Sequence, residues 1–127
     1  MSEEKKDFNL DNFKLNYKIW LSTPDDQGIM GDGKWKILKA IEKYGSLRAT
    51  TEKLGITYRR TWGDLKEIEE KLGIALLEKT RGGKDGGNTC LTPEGKKLVQ
   101  TFDLFHEKID IIMEEAFEEF KKTLNEE

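Results

Sequence analysis

Five consecutive residues, Thr57-Tyr58-Arg59-Arg60-Thr61, concentrate hydrogen-bond donors that suit an anionic polymer. A guanidinium fork matches a phosphate or the O6/N7 edge of guanine, and a hydroxyl serves either phosphate or base. On a helix, Arg59, Gly63 and Lys66 share one face, with Thr57 and Arg60 beside them. A second cluster follows in TRGGKDGG, Thr80 to Gly87, where Arg81 and Lys84 stand among four glycines. Glycines such as Gly83 permit positive φ and let a tip approach a sugar–phosphate backbone, so the two cations could meet phosphates or enter a minor groove. A loose exposed turn is the plainer reading of those residues. Ser46 and Arg48, in the preceding stretch, add another hydroxyl and guanidinium. The chemistry in view is recognition, not bond-making.

Such groups need an outward helix and a hairpin beside it. GSLRATTEKLGITYRRTWGDL, Gly45 to Leu65, reads as two short helices meeting at a tight Gly-Ile-Thr turn. Ser46 is a good N-cap for Leu47 to Leu54, and Gly55 stops that helix and frees the backbone for the turn. Thr57 caps the next helix, Tyr58 to about Leu72, which Gly73 ends. Its expected buried face is Tyr58, Trp62, Leu65, Ile68 and Leu72, and its C-terminal half turns acidic at Glu67, Glu69 and Glu70. Gly63 in mid-helix costs about 1 kcal/mol against alanine. Close packing on a neighbouring helix or close approach of a DNA backbone would each account for it. Ile74 to Thr80 and Asn88 to Leu91 read as strands flanking the glycine tip. Upstream, Phe13 to Leu21 alternates apolar and polar residues, the pattern of a half-buried strand. STPDDQG is a turn by composition, Gly28 to Gly31 a short return strand, and Lys34 to Tyr44 a helix ended by Gly45.

Thr92-Pro93 opens the longest element, a helix reaching Leu124. Leu98, Phe102, Phe105, Ile109, Ile112, Ala116 and Phe120 recur along it every three or four residues, while Val99, Leu104, Ile111, Met113 and Phe117 form a second stripe. One small domain lacks the surface to cover both, so the first set is expected to be a homodimer seam. Folding back onto the chain's own core is the alternative. The Phe13–Leu21 strand is a candidate for the same interface.

The 127 residues fit one domain, divided as a flexible N-terminus (1–11), a central domain (12–92) and a dimerisation helix (93–127). The expected fold is mainly α with a small β component: a winged helix-turn-helix with an N-terminal strand or hairpin and a long C-terminal helix. Net charge is −3, which alone argues against nucleic acid, but it is +3 over residues 46–97 and −6 over 98–127. Because salt screens exposed charges beyond about 8 Å, an acidic chain can still carry a basic face. There is no apolar run of membrane-spanning length and no secretory leader, and Cys90 is the single cysteine; a cytoplasmic location is expected. GIMGDGKW, Gly28 to Trp35, mimics a phosphate-binding loop but has Trp35 where magnesium would need Ser or Thr. His106 has no ligand-spaced companions, and no nucleophile–base pair stands out, so neither a metal, a cofactor nor an enzyme activity is expected.

At Gly45–Leu65, TRGGKDGG and CLTPEGKKL the sequence resembles the N-terminal DNA-binding domain of ModE-type molybdate-responsive regulators, itself related to the winged helix of LysR-type regulators. The likeness runs from about Phe13 to Phe105, and rests on Gly45-Ser46, the Tyr-Arg-Arg-x-Trp of Tyr58 to Trp62, the glycine pairs of Gly82 to Gly87, and Leu91 to Gly95. It implies a dimeric winged helix-turn-helix that binds palindromic operators in double-stranded DNA. It puts Thr57, Tyr58, Arg59 and Arg60 at the start of the recognition helix and Arg81, Gly83 and Lys84 in the wing. Thr50, Thr51 and Thr61 stand where the family usually has alanine. Family members continue into oxyanion-binding modules, so this chain is expected to act as a stand-alone DNA-binding domain without a molybdate site. Two other functions fit the residues: a winged-helix module that binds a protein through its acidic helix, and a sensor holding a small ligand at the dimer interface.

Overall fold

A computed structural model describes residues 7–80 and 88–126. Among the described residues eight elements follow in order: β1 (Trp20–Ser22), β2 (Gly28–Gly31), α1 (Asp32–Tyr44), α2 (Leu47–Leu54), α3 (Tyr58–Leu72), β3 (Leu77–Thr80), β4 (Asn88–Leu91) and α4 (Pro93–Leu124). The strands make two antiparallel hairpins, β1–β2 and β3–β4. This is the winged helix-turn-helix expected, with α2–α3 as the helix-turn-helix and β3–β4 as the wing. The chain divides into two compact units, Lys18–Phe102 and the pair Met1–Tyr17 with Asp103–Glu127.

In the Lys18–Phe102 unit every helix contributes to one core. Leu38 and Ile41 of α1, Leu47 of α2, Leu65 and Ile68 of α3, Leu77 and Leu91 of the wing strands, and Val99 and Phe102 of α4 are all buried. The caps follow from residue type. The Ser46 Oγ accepts the Ala49 N–H at 3.0 Å and starts α2. Gly55, at φ 67°, turns the chain left-handed into α3. The Thr92 side chain has two partners: its Oγ accepts the Gly95 N–H at 2.9 Å and donates to the Ala75 carbonyl at 2.7 Å, fixing the start of α4 against the chain that enters β3.

Three expectations need correction. The Phe13–Leu21 strand is confined to Trp20–Ser22, because β1 pairs only with β2 and the sheet has two strands. Leu15, Tyr17 and Ile19 are still half-buried between exposed neighbours, so the alternation reports one-sided packing without a ladder. The strand expected from Ile74 starts at Leu77, because the Leu76 and Leu77 N–H groups donate to the Glu69 carboxylate at 2.7 and 2.8 Å. On α3 the buried stripe is Thr61, Leu65 and Ile68, with Tyr58 half-buried, while Trp62 and Leu72 are exposed. Threonine can be buried there because its Oγ donates to the Thr57 carbonyl one turn back, at 2.8 Å. Thr50 does the same with the Ser46 carbonyl at 2.8 Å, and Thr51 bonds the Arg48 carbonyl at 3.0 Å.

In the unit formed by the N-terminal segment and α4 beyond Phe102, the segment turns at Asp11-Asn12, where the Phe13 N–H donates to the Leu10 carbonyl at 3.0 Å, and is bonded to the helix by side chains. The Phe8 N–H and C=O bond the Asn125 side chain at 2.8 and 3.1 Å. The Tyr17 hydroxyl donates to Asp110, whose other oxygen lies 3.0 Å from His106 Nδ1. Hydrogen bonds from Tyr17 and His106 hold the Asp110 carboxyl below its ordinary range, although its burial pushes the other way. Phe13, Leu15 and Tyr17 line a groove with Met113 and Phe117.

Candidate nucleic-acid interface

The geometry of the site starts at the N-terminus of α3. Thr57 takes an extended conformation, φ −76° and ψ 124°, and its side chain makes no cap bond. Its hydroxyl is exposed at the helix start, while its carbonyl accepts the Thr61 hydroxyl. Arg59 and Arg60 are exposed, and among the described residues neither stands in an ion pair. Gly63 follows on the same outward face, and a Cβ built there would meet nothing within 4 Å. Close packing against a helix of this chain is therefore not why the position is glycine.

Arg60 lines two adjoining grooves. One is completed by Lys34, Ile37, Ile56, Thr57, Thr61 and Asp64, the other by Lys34, Asp64, Glu67, Lys71 and the β2 backbone at Gly28. Lys34 Nζ lies 3.4 Å from the Asp64 carboxylate, and Lys71 Nζ bonds the Gly28 carbonyl and Glu67, each at 3.3 Å. Positive groups thus flank Arg60, with carboxylates fixing the lysines in place. Lys34 is a neighbour the sequence reading missed. It lies on α1, outside the helix-turn-helix, and only the folded arrangement brings it beside Arg60.

The remaining candidates divide. Arg48 is exposed in the first turn of α2, with its guanidinium 4.9 Å from the centre of the half-buried Tyr58 ring. Ser46 is buried and its oxygen caps α2, so its place in the fold is structural. Lys66 is drawn to Glu69 at 3.1 Å and lies 5.5 Å from the Trp62 ring centre, so its charge is partly spent within the chain. Burial pushes the Glu69 carboxyl up, yet the Leu77 and Leu76 N–H groups and the Lys66 ammonium outweigh it and hold the group below its ordinary value. Arg81, Gly83 and Lys84 lie outside the described residues. The wing strands that lead to them pair in register from Leu77–Leu91 to Thr80–Asn88.

The α4 candidates also divide. Phe102 is 4% exposed and its ring sits 5.4 Å from Trp35, and Leu98 packs against the same core. Both serve the chain's own interior, because the first turns of α4 close the winged domain. Ile109 is half-buried and Ala116 exposed. Phe105, Ile112 and Phe120 are 45%, 49% and 53% exposed, and Leu104 and Ile111 are exposed as well.

Comparison with known proteins accords with this geometry. The family model for bacterial regulatory helix-turn-helix proteins of the lysR family matches residues 33–96, half of the chain. The chain belongs to that family. It is a family of DNA-binding regulators and not of enzymes. The match begins at α1 and ends in the first turn of α4, so it takes in the helix-turn-helix and both wing strands. The chain is also similar to the transcriptional regulator ModE of Haemophilus influenzae, 32% identical over 90 residues that make up 70% of this chain and 35% of that protein. A DNA-binding transcriptional dual regulator ModE of Escherichia coli K12 is 33% identical over 82 residues, 65% of this chain and 30% of its own length. The chain therefore spans about a third of these relatives. Among solved structures, a point mutant of Lactococcus lactis ZitR shares the fold with a TM-score of 0.50 at 17% identity, covering 87% of this chain and 73% of that one. Among the described residues no group of three or more His, Cys, Asp or Glu is placed to hold a metal, and no helix is long and apolar enough to cross a membrane.

Proposed function

We propose that this DNA-binding regulator is a sequence-specific transcription factor, working in the cytoplasm as a homodimer on a palindromic operator in double-stranded DNA. The observation that carries the proposal is the outward face of α3, where exposed Arg59 and Arg60 flank the open surface over Gly63. Cations and a hydroxyl at the N-terminal end of a recognition helix suit base edges and phosphates. The acidic residues lie toward its C-terminal end, where phosphate would be repelled. Arg48 on α2, and Arg81, Gly83 and Lys84 in the wing, are assigned to the flanking backbone. Support for the homodimer comes from α4, whose Phe105, Ile112 and Phe120 are exposed in the single chain. Two copies joined there would offer two α3 helices to successive major grooves, about 34 Å apart. No cofactor and no molybdate site is assigned to these residues.

The test is selection of bound duplexes from a random pool, followed by footprinting and sedimentation of the complex. The proposal expects an inverted repeat with half-site centres about 10 base pairs, or a multiple of one turn, apart and two chains per duplex. A pool that never enriches, or a single half-site bound by one chain, would contradict it.

A further inference from the structure

We propose that Trp62 reads a thymine, its indole packing against the 5-methyl group of that base in the major groove. The inference rests on the DNA-binding reading above and deepens it. Trp62 lies in the second turn of α3, on the flank of the buried stripe of Thr61, Leu65 and Ile68. It is 38% exposed, an unfavourable state for a large apolar side chain in water. Its place is what identifies the occupant. Arg59 stands one turn before it, Lys66 one turn after, and Gly63 is adjacent with open space above. A duplex docked on Arg59 and Gly63 comes within reach of Trp62.

An apolar protein surface seated there would strip water from the Arg59 guanidinium with nothing to replace it. The major groove has no such conflict, because thymine methyl groups lie among phosphate and base acceptors. On its C-terminal side Trp62 shares a groove with Lys66, Glu69, Glu70, Ile74 and Ala75, so the region tolerant of phosphate ends at Trp62, within about two turns of the helix start. Lys66, held by Glu69 and lying over the ring, sets the orientation of the indole.

The experiment titrates the full chain with its selected duplex and with duplexes in which each thymine is replaced singly by uracil. That replacement keeps base pairing and removes only the methyl group. One thymine per half-site should stand out, its replacement weakening the parent protein about fourfold. Trp62→Ala should bind the unmodified duplex about tenfold more weakly and lose that position's uracil penalty. Trp62→Phe should retain most of both. Melting curves check that Trp62→Ala folds, and the uracil series on the unmutated protein is independent of it. Indifference of the parent to every uracil, or a penalty that persists undiminished in Trp62→Ala, overturns the proposal while leaving DNA binding in place. Failure of the parent to bind any duplex at low salt overturns the DNA-binding reading and this inference together.

Discussion

Gly63 occupies the middle of a helix where alanine would fit without touching anything. On the proposed function, a glycine that weakens its own helix and relieves no internal crowding leaves room for DNA. Gly63→Ala is therefore expected to raise stability by about 1 kcal/mol in thermal or urea melts while lowering affinity for the selected duplex. Arg60→Ala should cost about 1–3 kcal/mol of binding and relax preference at one base pair, read by titrating duplexes mutated position by position. At this scale the sequence placed Arg59 and Arg60 on an outward helix face, and both are exposed on α3. It misplaced Trp62, because ranking residues by hydrophobicity favours tryptophan over threonine as a core residue. The threonine hydroxyl is satisfied inside its own helix, so Thr61 takes the buried position and Trp62 is left partly exposed. It also could not show Lys34 beside Arg60, since no spacing rule links residues on separate elements.

At the scale of elements, the recognition helix is tied to the wing by one carboxylate. Glu69 accepts the Leu76 and Leu77 N–H groups that neither α3 nor β3 pairs, and draws in Lys66. Glu69→Gln should destabilise the fold by about 1–2 kcal/mol at pH 7, measured by urea unfolding. Because the folded carboxyl titrates below its ordinary value, its contribution is complete above the unfolded value of about 4.3 and is lost as pH falls through the folded one. The gap between parent and variant should therefore close only below about pH 4. Gly95 is the other constraint. A Cβ there would lie 2.6 Å from the Leu76 carbonyl, so Gly95→Ala must displace α4 from the wing and is expected to cost about 1–3 kcal/mol in the same assay. Local signals made most of this scale legible. Ser46, Gly55, Gly73 and Thr92 mark helix ends that the structure keeps. Strand lengths were less legible, since a strand ends where its partner does, and β1 and β3 are both shorter than their alternating or apolar runs.

On the scale of the whole molecule, the apolar recurrence along α4 mixed two roles. Leu98 and Phe102 continue the stripe that later bears Phe105, Ile112 and Phe120, yet they fill the winged domain's own core. Periodicity shows a face but not its partner. The proposed dimer uses only the later part, so Phe105→Asp combined with Ile112→Asp should yield a folded monomer in sedimentation equilibrium, with unchanged helical circular dichroism and weaker operator binding. The charge pattern belongs to this scale too. A chain of net charge −3 binds a polyanion only if its cations act together on one side. The most direct measurement is the operator affinity of the full chain across a series of salt concentrations. If Arg59 and the wing cations Arg81 and Lys84 engage phosphates in both halves of a dimer, log K should fall linearly with log salt, with a slope of about −0.9 for each phosphate neutralised and at least four such contacts. A slope near zero would contradict the account, since it would mean that the outward arginines of α3 do not meet DNA.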